Sequence, residues 1–379
     1  MRVTAKLYTI IMKYYLIAGE ASGDLHGSNL VKELCRLDAS ATIRCWGGDK
    51  MEEAGAVLVK HYRELAFMGF IEVVKNLRTI FKNLAFCKQD IEAFKPDVLV
   101  LIDYPGFNLR IAKWARLQGL KIVYYISPQV WAWKENRVHA IKRDVDKMLV
   151  ILPFEQSFYQ KWHYPVEYVG HPLVQVINEF KPGPPLFKHK NIIALLPGSR
   201  KQEILKKLPL MLQVSKQFPQ YHFVVAKAPG IDDDFYTALL APYKNVSSVI
   251  NKTYQLLTEA SAALVTSGTA TLETALFKVP EVVCYKSSNI SYQIARRLIR
   301  IKYISLVNLI MDKEVVKELI QHQLTPANIG NQLQLLLTDE AHRQQLFDEY
   351  AQLKNLLGQG GNASANAAKS IVSFLNTAK

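Results

Sequence analysis

The chain has 379 residues, 49% hydrophobic and 21% charged, which fits an ordinary folded protein too long for one core and excludes disordered and fibrous classes. A formal net charge of +14 points to anionic partners: nucleic acid, an anionic membrane or phosphorylated substrates. No apolar run approaches the roughly 20 residues that span a bilayer, and four scattered cysteines without C-x-x-C spacing fit neither a zinc site nor a disulfide framework.

The residues up to Met12 show no signal-peptide pattern and read as an extension ahead of the first strand, Tyr14 to Ala18. A helix is predicted from about Leu25 to Leu37. Strands follow at Thr42 to Trp46, Val98 to Asp103, Ile122 to Ile126 and Met148 to Leu152. A second series runs through Ile192 to Leu196, Phe223 to Ala226, Ala262 to Thr266, Val282 to Tyr285 and Ile304 to Val307. Short apolar runs alternating with helical segments predict parallel α/β architecture. The proline-rich stretch 181–190 divides the chain into an N-terminal domain, 1–180, and a C-terminal one, 191–355; a final helix within 356–379 is expected to pack back across them.

Chemistry concentrates where strands end. GEASGDLHG follows the first strand without the dinucleotide fingerprint, so a nicotinamide or flavin cofactor loses support; Ser22, Gly23 and Asp24 suit either an anion-binding helix start or a tight turn. Asp103 closes its strand ahead of Pro105-Gly106, as a general base or as a capping carboxylate. Trp131 and Trp133 near Arg137 suit stacking on a sugar or acyl chain, or core packing. Asp144-Val145-Asp146 spells a metal-binding D-x-D, but its basic helical surroundings favour a salt-bridged face. His171 suits either a cleft position or a satisfied interior one.

In the second half, Gly198, Ser199 and Arg200 form a turn whose guanidinium matches a diphosphate. Ser267, Gly268 and Thr269 make a second anion cradle at a helix start, with Glu273 one turn on for ribose hydroxyls. Two such loops in one half point to a nucleotide diphosphate. Between Phe67 and Phe86 apolar residues recur at helical spacing beside a basic stripe; Phe67, Met68, Phe70, Lys75 and Arg78 are candidates for contact with acyl chains or an anionic membrane. Core packing gives the same period. No zinc-finger, RNP or Lys/Arg-tract signal supports a nucleic-acid module.

Taken together, IAGEASGD, ELAFMGFIEV, KPDVLVLIDYPGFN, YYISPQVWAWKENRV, LPFE, VGHPL, LLPGSR, SGTATLE and SLVNLI resemble the lipid-A-disaccharide synthase family, over nearly the whole chain from Tyr14. The resemblance implies a GT-B fold, two Rossmann-like α/β domains facing each other across a cleft. It implies an inverting transfer of 2,3-diacylglucosamine from UDP-2,3-diacylglucosamine to 2,3-diacylglucosamine 1-phosphate, giving a β(1→6) disaccharide 1-phosphate and UDP. On the matching positions Asp103 would be the base, Arg200 the diphosphate clamp, and Ser267, Gly268, Thr269, Glu273 and Asn308 the UDP site. Where the family often has a second acidic residue this chain has Gly106, which removes a rival base. No metal or other cofactor is expected. The implied setting is cytoplasmic, peripheral to the inner membrane of a Gram-negative bacterium, with a homodimer left open. The rival reading among enzymes is another GT-B protein using a UDP-N-acetylhexosamine, a lipid-linked cell-wall transferase or a 2-epimerase.

Overall fold

The structure, a computed structural model, describes residues 11–65, 77–188, 191–288, 292–293 and 301–377. The chain divides into two compact units, 1–172 with 358–379, and 173–357.

In the first unit the elements run β1 (Lys13–Ala18), α1 (Ala21–Leu37), β2 (Thr42–Gly47), α2 (Asp49–Glu53), β3 (Val57–His61), α3 (Leu77–Phe94), β4 (Val98–Ile102), α4 (Pro105–Leu117), β5 (Ile122–Tyr125), α5 (Val130–Trp133), α6 (Arg137–Asp144), β6 (Lys147–Val150), α7 (Pro153–Gln160) and β7 (Glu167–Tyr168). The strands form one parallel sheet in the order β3-β2-β1-β4-β5-β6-β7. Because successive side chains of a strand point to opposite faces, Tyr15 and Ile17 enter one core and Tyr14, Leu16 and Ala18 another.

The second unit runs α8 (Pro172–Glu179), β8 (Ile192–Leu196), α9 (Lys201–Ser215), β9 (His222–Lys227), α10 (Asp233–Leu240), β10 (Val246–Ile250), α11 (Thr253–Glu259), β11 (Ala260–Thr266), α12 (Thr269–Leu276), β12 (Glu281–Tyr285), α13 (Leu306–Met311), β13 (Lys317–Ile320), α14 (Pro326–Thr338) and α15 (Glu340–Gly358). Its parallel sheet has the order β10-β9-β8-β11-β12-β13. The last helix, α16 (Ala363–Thr377), belongs to the first unit, where Ala367, Ala368, Ile371 and Leu375 share a core with Leu30, Val31 and Leu34 of α1.

The structure departs from the predicted organisation in two ways. The first crossing between units falls at 172/173, not in 181–190. Phe180 already packs edge-on against Tyr254 and Phe277, while the N–H groups of Gly183 and Leu186 donate to Gln255 and Glu259, so the proline-rich stretch is fastened to the second unit. Ile304 to Val307 is not a strand: the Ser305 hydroxyl accepts from Asn308 N–H and starts α13, and the sixth strand is β13. Among the described residues no helix is long and apolar enough to cross a membrane.

Candidate functional site

Both sheets reverse their winding direction once, between β1 and β4 and between β8 and β11. At such a switch point the loops leaving neighbouring strands diverge to opposite faces and open a crevice. Ala18 pairs with Ile102 in the first unit and Leu196 with Val265 in the second, so the residues that follow each pair emerge side by side.

In the first unit those residues are Gly19-Glu20 and Asp103-Tyr104. Asp103 and Tyr104 both hold left-handed backbone, with φ of 43° and 48°, which costs a non-glycine residue about 1 kcal/mol or more and persists only under constraint. The constraint is visible. The fully buried Asn108 amide donates to the carbonyls of Ile102 and Asp103 at 3.2 and 2.7 Å, and the Tyr124 hydroxyl donates to the Asp103 carbonyl at 2.5 Å. A Cβ on Gly19 would lie 2.3 Å from the Tyr104 ring, so only glycine lets that ring close over the end of β1. The half-buried Asp103 carboxyl is pushed up to about 7, by desolvation first and by the neighbouring Glu20 charge second. Burial pushes the Tyr124 hydroxyl well up too, Asp103 adding and Arg137 opposing, which places the Arg137 charge in this neighbourhood.

The other first-unit candidates divide. Ser22 is exposed in the first turn of α1, a helix with no side-chain cap. Gly23 is accounted for by packing, since a Cβ there would stand 3.1 Å from that of Ala18. Asp24 is not a cap of its own helix: its buried carboxylate accepts from the N–H groups of Gly48 and Met51 at 2.8 and 3.1 Å, capping α2. Trp131 is corrected as a contact residue. It is buried edge-on against Phe154, and its indole N–H donates to the interior Glu155 carboxyl at 3.3 Å; that carboxyl is itself pushed up to about 7 by burial. Trp133 is the exposed ring, with the Lys134 ammonium 4.1 Å and the Arg137 guanidinium 5.5 Å from its centroid. His171 is interior, its imidazole lowered to about 3 by burial with His26 adding, and so is neutral at ordinary pH. Asp144 pairs with Arg143, and Asp146 with Arg116 and the N–H of Ile122, which accounts for both carboxylates of the D-x-D. Phe67, Met68, Phe70 and Lys75 lie outside the described residues; Arg78 is exposed on α3 beside Phe81, itself 63% exposed.

In the second unit the switch point presents two uncapped helix starts. Gly198 has φ +119°, and a Cβ there would meet the Glu203 carboxylate at 2.8 Å; Ser199 and Arg200 follow, exposed, at the start of α9, with Arg200 Nη1 3.5 Å from Glu203 Oε1. Gly268 has φ +147° and faces open space at the start of α12, next to the exposed Thr269. Neither helix has a side-chain cap hydrogen bond, so first-turn N–H groups and the positive dipole end are available to an anion. The Ser267 hydroxyl is spent on the Ile304 carbonyl at 2.7 Å, where it fixes the turn. Glu273 accepts from the Tyr254 hydroxyl at 2.8 Å. Asn308 is corrected: its amide donates to the Val316 carbonyl and to Glu318 at 2.8 and 2.9 Å and accepts from the N–H groups of Val315 and Val316, leaving nothing for a ligand.

Two residues escaped sequence reasoning. Glu20 was not singled out within GEASGDLHG, and only strand order shows it beside Asp103. Lys207 carries a signal in its helix phase: Ile204, Lys207, Leu208 and Met211 form the buried stripe of α9, and its ammonium bonds Thr266 at the end of β11.

Comparison with known proteins now adds to the geometry. A sequence model of the lipid-A-disaccharide synthetase family matches residues 14–372. The lipid-A-disaccharide synthase of Geobacter metallireducens is 39% identical over 357 residues, 91% of this chain and 93% of that protein. That of Coxiella burnetii is 38% identical over 370 residues, 94% and 96% of the two chains. Among solved structures, the glycosyltransferase of kitacinnamycin gives a TM-score of 0.67 at 15% identity, covering 96% of this chain and 99% of that one. A Neisseria meningitidis UDP-GlcNAc 2-epimerase bound to UDP-GlcNAc gives 0.67 at 13% identity, covering 97% and 100%. At such identity these two speak for the fold alone, two parallel-sheet α/β domains of the GT-B class. The family match and the curated relatives go further: the chain belongs to the lipid-A-disaccharide synthetase family, glycosyltransferases of lipid A biosynthesis.

Proposed function

We propose that the protein transfers 2,3-diacylglucosamine from UDP-2,3-diacylglucosamine to the 6-hydroxyl of 2,3-diacylglucosamine 1-phosphate, with inversion, giving the β(1→6) disaccharide 1-phosphate and UDP. The observation that carries the reading is Asp103, a carboxyl held in strained backbone at a switch point and pushed up to about 7. A base with that affinity takes the proton of an attacking hydroxyl near neutral pH and holds it. The new C–O bond forms at the anomeric carbon as the bond to UDP breaks. Charge on the departing diphosphate is met by Arg200 and the N–H groups opening α9 and α12, without a metal.

Acylated substrates of this kind reside at a lipid surface. Phe81 and Trp133, exposed beside Arg78, Lys82, Lys134 and Arg137, are the first-unit side chains we assign to contact with acyl chains or an anionic bilayer, with the protein peripheral to the membrane.

The test is UDP release by purified protein given both acylated substrates in detergent, with and without EDTA. Activity is expected with UDP-2,3-diacylglucosamine, not with unacylated UDP-N-acetylglucosamine, and to survive chelation. Asp103→Asn is expected to lower kcat by about a hundredfold or more. A variant as active as wild type removes Asp103 from the role, and turnover of the unacylated donor removes the substrate assignment.

A further inference from the structure

Helix α9 carries a lysine where its phase calls for an apolar residue. The Lys207 side chain is only 4% exposed, and an ammonium is among the costliest groups to bury without partners. One of its three donors goes to the Thr266 hydroxyl. The nearest carboxylate oxygen, Glu203 Oε2, stands 3.9 Å away, beyond hydrogen-bonding distance. The nitrogen lies 3.5 Å from the point a Cβ on Gly198 would occupy, so it sits beneath the turn that opens α9 and against the end of the strand that leads to α12.

Holding two loops together does not require a charge, because an apolar side chain of the same length would fill that stripe without the desolvation cost. A buried cation with donors to spare makes sense where an anion arrives. We propose that Lys207 is a second cation of the donor site, directing its remaining N–H donors to phosphate oxygens of a nucleoside diphosphate while Thr266 holds the ammonium in place. The inference rests on the donor reading above and deepens it. Glu203 stands within 4 Å of both cations, 3.5 Å from Arg200 and 3.9 Å from Lys207, and is the negative charge they share until a diphosphate takes over that part. Burial lowers the Lys207 pKa, with Lys206 and Arg200 adding and Glu203 and Cys284 opposing; phosphate oxygens beside the nitrogen favour its charged form.

The experiment is calorimetric titration of the full-length protein with UDP, and with uridine by competition, for wild type, K207M, K207R and R200A. A charge-assisted phosphate contact predicts that K207M loses about ten- to a hundredfold in UDP affinity while its uridine affinity stays within about twofold. K207R, which keeps the charge, retains most of the UDP affinity, and K207M melts no lower than wild type. UDP binding unchanged in K207M but weakened in R200A overturns the Lys207 role and leaves the donor site standing. Equal loss of UDP and uridine in K207M reduces Lys207 to a structural part. A wild type that does not bind UDP overturns the donor site and Lys207 together.

Discussion

Replacing Glu20 by Gln should move the pH dependence of the reaction without removing any group that takes a proton from substrate. Asp103 is raised by desolvation first and by Glu20 second. With its carboxyl near 7, the ionised fraction, and with it kcat/KM, should rise about tenfold between pH 6 and pH 8. Glu20 and Asp103 follow neighbouring strands about 4.8 Å apart, so a separation on the order of 7 Å between unit charges serves to bound their repulsion. At that separation their repulsion is roughly 0.6 kcal/mol in bulk water and roughly 2.4 kcal/mol at an effective dielectric of 20. Removing it should therefore shift the rising limb down by between about 0.5 and 1.7 pH units, with the plateau above pH 8 little changed. Stability gives an independent check on the same carboxyl. Its folded pKa lies above the unfolded one, so its contribution to stability is full below the ordinary aspartate value of 3.8 and lost as pH rises through about 7. Asp103→Asn should accordingly melt no lower than wild type at pH 8. UDP release followed across pH 5 to 9 at subsaturating donor decides the matter: a limb that stays in place in Glu20→Gln, or a wild-type limb near pH 4, refutes the coupling.

Asn308→Ala strands a buried and a part-buried N–H group and a buried carbonyl, and should destabilise the protein by about 3 kcal/mol or more in urea unfolding. The fraction that remains folded should bind UDP within about twofold of wild type, and a larger loss would return Asn308 to the donor site. Phe81→Ser and Trp133→Ser should each weaken co-sedimentation with anionic vesicles by roughly three- to tenfold; unchanged sedimentation in both variants would contradict the membrane assignment.

How much of this could be read from sequence depended on where each residue sits in its sheet. The interior strands β1, β2, β4, β5, β6, β8, β9, β11 and β12 were all located, because a strand with neighbours on both sides and helices on both faces reads as an apolar run. The four that were missed, β3, β7, β10 and β13, are the edges. Their sequences, VLVKH, EY, VSSVI and KELI, are broken by polar and charged side chains because one flank meets solvent. The strand-end positions of Asp103 and of the loops opening α9 and α12 were legible since each follows a recognisable strand. Asn308 was misjudged since a motif match cannot show that every polar atom of an amide is already engaged.

The two units show why topology locates a site without deciding its chemistry. Each sheet opens at one switch point, and in each the informative residues are the first two or three after a pair of neighbouring strands. In the first unit those positions hold Glu20 and Asp103, two carboxylates of which the first raises the proton affinity of the second, itself partly desolvated. In the second they hold glycines with positive φ, exposed helix starts and Arg200, with the Lys207 ammonium beneath. Negative charge at one switch point suits proton removal and positive charge at the other suits an anion. The division of labour is written in these short segments, so substitutions there should change rate or affinity at little cost in stability, whereas the core substitutions behind them should do the reverse.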